Sequence, residues 1–168
     1  MARTSNQRSI PVWLFIIAAA LIAARIVVTL QQKEEAGSVQ TGERGGKTTS
    51  LVKWVPIEQA GTLARTTGKT IMYDFTAAWC GPCHALEDAV FSDRRLAKLI
   101  NDRFVPVRVV DRQREDGQNQ PAVQSLQARF GVRGFPTVVW ADASGVQKTR
   151  MEGFRGAEAF EQTVENLR

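Results

Sequence analysis

Residues 70–90 read TIMYDFTAAWCGPCHALEDAV, and this stretch decides the fold. Thr70 to Thr76 is rich in β-branched and aromatic residues and is bounded upstream by Gly68-Lys69, which predicts a strand. Beyond Pro82, apolar residues fall at Ala85, Leu86, Ala89 and Val90, the spacing of one face of a helix. Pro82 suits the first turn of that helix, where its missing N–H would have had no partner. Cys80 and Cys83 therefore lie at a strand-to-helix turn. They are the only two cysteines in the chain, so a disulfide scaffold is excluded and cysteine chemistry is confined to one spot. At the start of a helix, Cys80 meets the positive end of the dipole, which favours its thiolate. Cys83 follows one turn later, within reach for closing a Cys80–Cys83 disulfide. In the chemical reading, Cys80 is the exposed nucleophile that attacks a substrate disulfide and Cys83 is the resolving thiol. The alternative is a pair of inert buried thiols.

Outward from this stretch the pattern is mixed α/β. Ile57 to Thr67 predicts a short helix upstream of the strand. Downstream, Leu96, Leu99 and Ile100 form a second helical stripe after a break at Ser92-Asp93, and Phe104 to Val110 reads as a strand. Residues 111–121 (DRQREDGQNQP) predict a polar loop, long for a small domain, which is either functional or a plain polar excursion. Val123, Leu126 and Phe130 mark a helix ending at Gly131. Thr137 to Ala141 and Val146 to Glu152 form a hairpin about the turn Asp142-Ala143-Ser144-Gly145, and a last helix runs from Ala157 to Leu167. The order predicts an α/β domain over 51–168. No internal repeat is visible.

The 168 residues suffice for one such domain and an appendage, and 43% hydrophobic with 23% charged residues excludes wholesale disorder. The net charge of +5 is concentrated at the N-terminal end, where residues 1–50 hold six basic residues against three acidic ones. From Leu51 onward the signs are interspersed, which is a solvated surface and not a nucleic-acid footprint. Residues 1–9 are a basic tail carrying Arg3 and Arg8. From residue 10 to 30 only Pro11, Arg25 and Thr29 interrupt the apolar run, which is long enough for one transmembrane helix anchored in a lipid bilayer. A signal peptide cleaved near Ala18-Ala19-Ala20 is the alternative. Residues 31–50 hold Gly37, Gly42, Gly45 and Gly46 among polar side chains, with Glu34, Glu35 and Arg44 keeping the stretch solvated, and read as a flexible tether.

Beyond these patterns the chain resembles the thioredoxin superfamily. Trp79-Cys80-Gly81-Pro82-Cys83 is similar to that family's active-site pentapeptide, and Asp74, six residues before Cys80, falls where the family carries a buried acid. Gly134-Phe135-Pro136-Thr137 resembles the segment bearing the family's cis-proline, and Gly153 with the final helix also fits. Val90-Phe91-Ser92-Asp93 and the break after it look most like the C-terminal domain of the bacterial transmembrane reductase DsbD and its membrane-tethered relatives. The resemblance implies a thioredoxin-like fold, a central mixed sheet flanked by helices, preceded here by the N-terminal transmembrane helix. It further implies a redox-active Cys80–Cys83 pair, with Asp74 as proton acceptor for Cys83, a role that suits a desolvated carboxylate. Asp74 paired with a core polar partner is the other expectation. A cis Phe135–Pro136 bond would leave the Phe135 backbone free to pair with an incoming peptide. Trp79 is a substrate contact or plain packing. Gly81-Pro82 resembles the reducing members of the superfamily more than its strong oxidants. Asp88 departs from the helix-kinking proline of most thioredoxins.

His84 brings in a different class, because Cys80-Gly81-Pro82-Cys83-His84 also matches the attachment pattern of c-type haem. His84 would then be the proximal ligand and Met72 or Met151 the distal one, although both methionines fall in predicted strands. Otherwise His84 is an exposed helical residue that tunes Cys80 when protonated. Cys80, Cys83 and His84 supply only three of the four ligands of a structural zinc site, so no metal or other cofactor is expected. A redox-dead interaction module is disfavoured by the retained cysteine pair. The expected partners are disulfide-bearing extracytoplasmic proteins and a DsbD-type membrane electron donor, with disulfide oxidation or isomerisation as the alternative activity. A short basic tail before a first span usually stays in the cytoplasm, which places the domain on the periplasmic side of the inner membrane, although Lys33, Arg44 and Lys47 weaken the charge bias. Protease added to intact spheroplasts should therefore digest the domain, and full protection would reverse this topology.

Overall fold

The computed structural model describes residues 49–167. The basic tail, the expected span over 10–30 and all but the end of the expected tether lie outside these residues, and no helix among the described residues is long and apolar enough to cross a membrane.

The first helix, α1 (Ile57–Thr67), follows Pro56 and stops at Gly68, whose φ of 70° lets its N–H close on the Ala64 carbonyl. Strand β1 (Thr70–Ala77) is buried along nearly its whole length, as a strand covered on both faces must be. A helix α2 (Gly81–Leu86) follows and runs on into a π-helical turn (Glu87–Phe91), where Ser92 N–H reaches back to the Glu87 carbonyl. The helical path is thus altered at Asp88 without a proline. Asp93 then caps α3 (Arg94–Arg103) by accepting from Leu96 N–H at 2.9 Å, the physical content of the break at Ser92-Asp93.

Strand β2 (Phe104–Asp111) pairs parallel with β1, while β3 (Thr137–Ala141) pairs antiparallel on the other side and carries β4 (Gln147–Glu152) at its far edge. The sheet order is β2-β1-β3-β4, a mixed four-stranded sheet. Period-two alternation sorts its side chains into two cores. Ile71, Tyr73 and Phe75 face one way with Val105, Val107, Val109 and Ala60 and Ala64 of α1. Met72 faces the other way, where Leu86, Val90, Phe91, Leu96 and Ile100 meet Trp140 and Phe160, the last from helix α6 (Ala157–Glu165). Asp74 belongs to this second face by the same alternation. The expected α/β sandwich is therefore present, with helix and strand ends within a residue or two of their sequence-based positions.

The stretch expected to be a polar loop is partly helical. Strand β2 continues to Asp111, a helical turn α4 (Gln113–Asp116) follows, and α5 (Pro121–Arg129) begins at the proline. Two buried polar residues hold the segment together. Asp111 Oδ2 accepts from Asn119 Nδ2 at 2.5 Å and from Gln127 Nε2 at 2.8 Å, while Asn119 Oδ1 accepts from Arg112 N–H at 2.6 Å. Burial alone would raise the Asp111 pKa, but these bonds outweigh it and hold the carboxyl below its ordinary value. A run of polar residues has no periodicity to announce such a knot, which is why the sequence reads as loop.

Trp140 is fully buried and touches Phe160 and Phe104 at ring-centre distances of 5.7 and 6.4 Å. Trp140→Ala should cost about 3–5 kcal/mol of stability in urea unfolding, and Trp140→Phe clearly less.

Candidate active site

Strand β1 delivers Cys80 to the N-terminus of α2, where it serves as the capping residue and its Sγ accepts from Cys83 N–H at 3.2 Å. Cys80 and Cys83 are joined in a disulfide with Cα atoms 5.3 Å apart. Gly81 and Pro82 between them are exposed and Pro82 occupies the first turn, as its chemistry requires. One expectation needs correction: Cys80 is only 3% exposed and Cys83 6%, because Ala77 and Phe135 pack against the bonded sulfurs. In this oxidised form, the Cys80 sulfur that becomes the nucleophile on reduction is covered.

Phe135–Pro136 is cis, and Phe135 links the sulfurs to Trp79, whose ring it meets edge-on at 5.8 Å. Trp79 is 44% exposed, so it is a surface residue and not core packing. The guanidinium of Arg114 lies over its indole at 3.6 Å. Arg114 comes from the segment expected to be a loop, and no spacing rule links it to Trp79. His84 is exposed, and its Nε2–H donates to the Ala78 carbonyl at 2.9 Å. Met72 and Met151, the alternative haem ligands, are both packed in the core, and the sulfurs a haem would need are bonded to each other. Among the described residues, no cluster of three or more His, Cys, Asp or Glu side chains is arranged to hold a metal.

Asp74 is 2% exposed. It is thus desolvated, and it is also paired with a polar partner in the core. The register of β1 and β2 sets Arg108 directly opposite, and Arg108 Nε donates to Asp74 Oδ2 at 3.3 Å. Arg108 Nη2 also binds Glu87 Oε2 from the π turn, and its guanidinium stacks on Trp54 at 4.1 Å. Asp74 Oδ1 and Glu87 Oε1 are buried without a hydrogen-bond partner among the described residues. Burial pushes the Asp74 pKa up, Arg108 pulls it down and Glu87 pushes it up again, leaving it at about 6 instead of 3.8. Arg108 and Glu87 were not singled out from the sequence. A lone cation in the apolar run VPVRVV, three residues before the strand's end and on the face that alternation predicts for Asp74, was the available signal.

A family model described as a thioredoxin-like domain matches residues 57–168. The thiol:disulfide interchange protein DsbD of Yersinia enterocolitica is 32% identical over 156 residues, covering 92% of this chain. The chain spans only 19–25% of the length of the curated DsbD proteins it matches. A thioredoxin from Thermus thermophilus has a solved structure that superposes with a TM-score of 0.58 at 27% identity, covering 69% of this chain and 86% of that one. An oxidoreductase named DsbH shares the fold with a TM-score of 0.61 at 23% identity, covering 80% of this chain and 96% of that one.

An acid whose pKa is higher in the folded than in the unfolded chain binds its proton more tightly when folded. The stability this confers is complete below the ordinary 3.8 and is lost as pH rises through about 6, where the folded chain must carry the buried charge. The loss should approach about 3 kcal/mol, read by urea unfolding between pH 3.5 and 7, and Asp74→Asn should flatten the profile. Carboxyl NMR titration should show Asp74 moving higher in Arg108→Met and lower in Glu87→Gln.

Proposed function

The chain belongs to the thioredoxin-like family, and from that premise we propose that it is a membrane-anchored reductase of disulfides in extracytoplasmic proteins. The observation that carries this reading is a vicinal cysteine pair at a helix N-terminus, in the domain that holds a buried carboxylate with a pKa near neutrality. In the reduced protein the Cys80 thiolate attacks one sulfur of a client disulfide. A Cys80–client disulfide forms and the client's other cysteine leaves as a thiolate. Cys83 then gives its proton to Asp74 and attacks Cys80 Sγ, closing the Cys80–Cys83 disulfide and releasing the second client thiolate. Two electrons pass from the protein to the client.

The proton acceptor must be neutralisable near the working pH, and Asp74, held near 6 by opposing effects of burial and Arg108, meets that demand. Turnover then requires a dithiol donor, for which a DsbD-type membrane protein is the natural chemical class. Gly81-Pro82 favours the reducing direction. The apolar segment over 10–30 and the tether after it would hold the domain at the periplasmic face of the inner membrane, within reach of donor and clients.

Glutathione equilibration of the full-length protein in detergent should give a Cys80/Cys83 potential near about −270 mV, whereas a value near about −120 mV would make it a disulfide donor. Cys80→Ser should abolish client reduction. A haem absorption band with no titratable thiols would replace the exchange mechanism with a cytochrome.

A further inference from the structure

The surface beside the disulfide carries cations that the exchange chemistry does not use. Arg114 is exposed and its guanidinium lies over the Trp79 ring. Trp79 abuts Phe135, and Phe135 forms one wall of an open groove of about 490 Å³ that also includes Pro136, Arg133, Arg150 and Glu152. Arg133 is exposed at this groove. The ion pairs among the described residues engage Arg95, Lys98, Arg108, Arg112 and Arg150, and include neither Arg114 nor Arg133. Within the groove, Arg150 donates through Nη1 to the Phe130 carbonyl and sits 2.7 Å from Glu152 through Nη2, while its buried Nε has no acceptor among the described residues. The groove therefore holds two guanidinium groups and one carboxylate. With Arg114 it makes a strip, cation–indole–phenyl–cation, whose Phe135 packs against the two cysteines.

Resting on the reductase reading, we propose that this strip docks an acidic client segment, with carboxylate side chains flanking the client cysteine and meeting Arg114 and Arg133. Three features favour such an occupant. Guanidinium groups that enter no ion pair among the described residues are suited to planar carboxylates. Stacking on Trp79 restrains Arg114, so little side-chain freedom remains to be lost when an anion binds. The aromatic centre, Trp79 and Phe135, supplies the apolar contact that an extended peptide needs between its charged ends. The position of Arg114 is itself built, because the helical turn that carries it is tied down by the buried Asp111–Asn119 pair.

The test uses three peptides of equal length, each with a disulfide flanked by Glu, Gln or Lys, mixed with the reduced full-length protein in detergent. Each reaction converts one protein dithiol and one peptide disulfide to a protein disulfide and two peptide thiols. The second-order rate should rank Glu above Gln above Lys, with roughly a tenfold span at low ionic strength. The span should shrink towards unity in 1 M salt, where the screening length falls to about 3 Å. The double variant Arg114→Gln, Arg133→Gln should show the same collapse at low salt. Equal rates for the three peptides in the wild-type protein, or a span that survives both salt and the double variant, would overturn the docking assignment while leaving the reductase reading intact. No exchange with any of the peptides would overturn the reductase reading, and the docking surface with it.

Discussion

A carboxylate in the middle of a sheet covered on both faces is the constraint around which the rest of this site is arranged. Asp74 cannot be charged there without help, since burial alone opposes ionisation. Arg108 supplies that help from the adjacent parallel strand, and is itself held between Asp74, Glu87 and the face of Trp54. Each partner comes from a different element: β1, β2, the π-helical turn and the segment before α1. The packing of those four elements thus sets the protonation of one group. The opposed influences leave Asp74 in a range where either state is accessible near neutrality, which a fully paired or a fully unpaired carboxylate would not be.

The π-helical turn has a direct part in this balance. Its altered path at Glu87–Phe91 carries Glu87 to Arg108 while Val90 and Phe91 remain in the core. An i→i+5 turn shifts the phase of a helix, so side chains before and after it can point to two different surfaces. Here the part before the turn presents the cysteines, and the turn itself presents an acid to the buried cation. The chemistry above the sheet and the electrostatics within it are thereby joined by a single stretch of helix.

Much of this architecture was legible in the residues. The β-branched and aromatic run TIMYDFT located the central strand, the apolar stripe after Pro82 located the helix, and the chain between Asp111 and Pro121 was the one segment whose organisation was not visible. Its order comes from Asp111, Asn119 and Gln127, three polar residues eight and sixteen positions apart, which meet only once β2 and α5 are packed. The burial of Cys80 was also not legible. It depends on Phe135, which is distant in sequence and reaches the sulfurs through the connection between α5 and β3.

The sequence by itself determined the element order and the position of the two cysteines at a strand-to-helix turn, because these follow from local periodicity and turn chemistry. The tertiary structure alone decided that Arg108 and Glu87 share Asp74's environment, that Arg114 covers Trp79, and that the disulfide is shielded. Those contacts join residues 21 to 55 positions apart, and no local rule of spacing reaches that far; they exist because strand register and helix packing bring the side chains together.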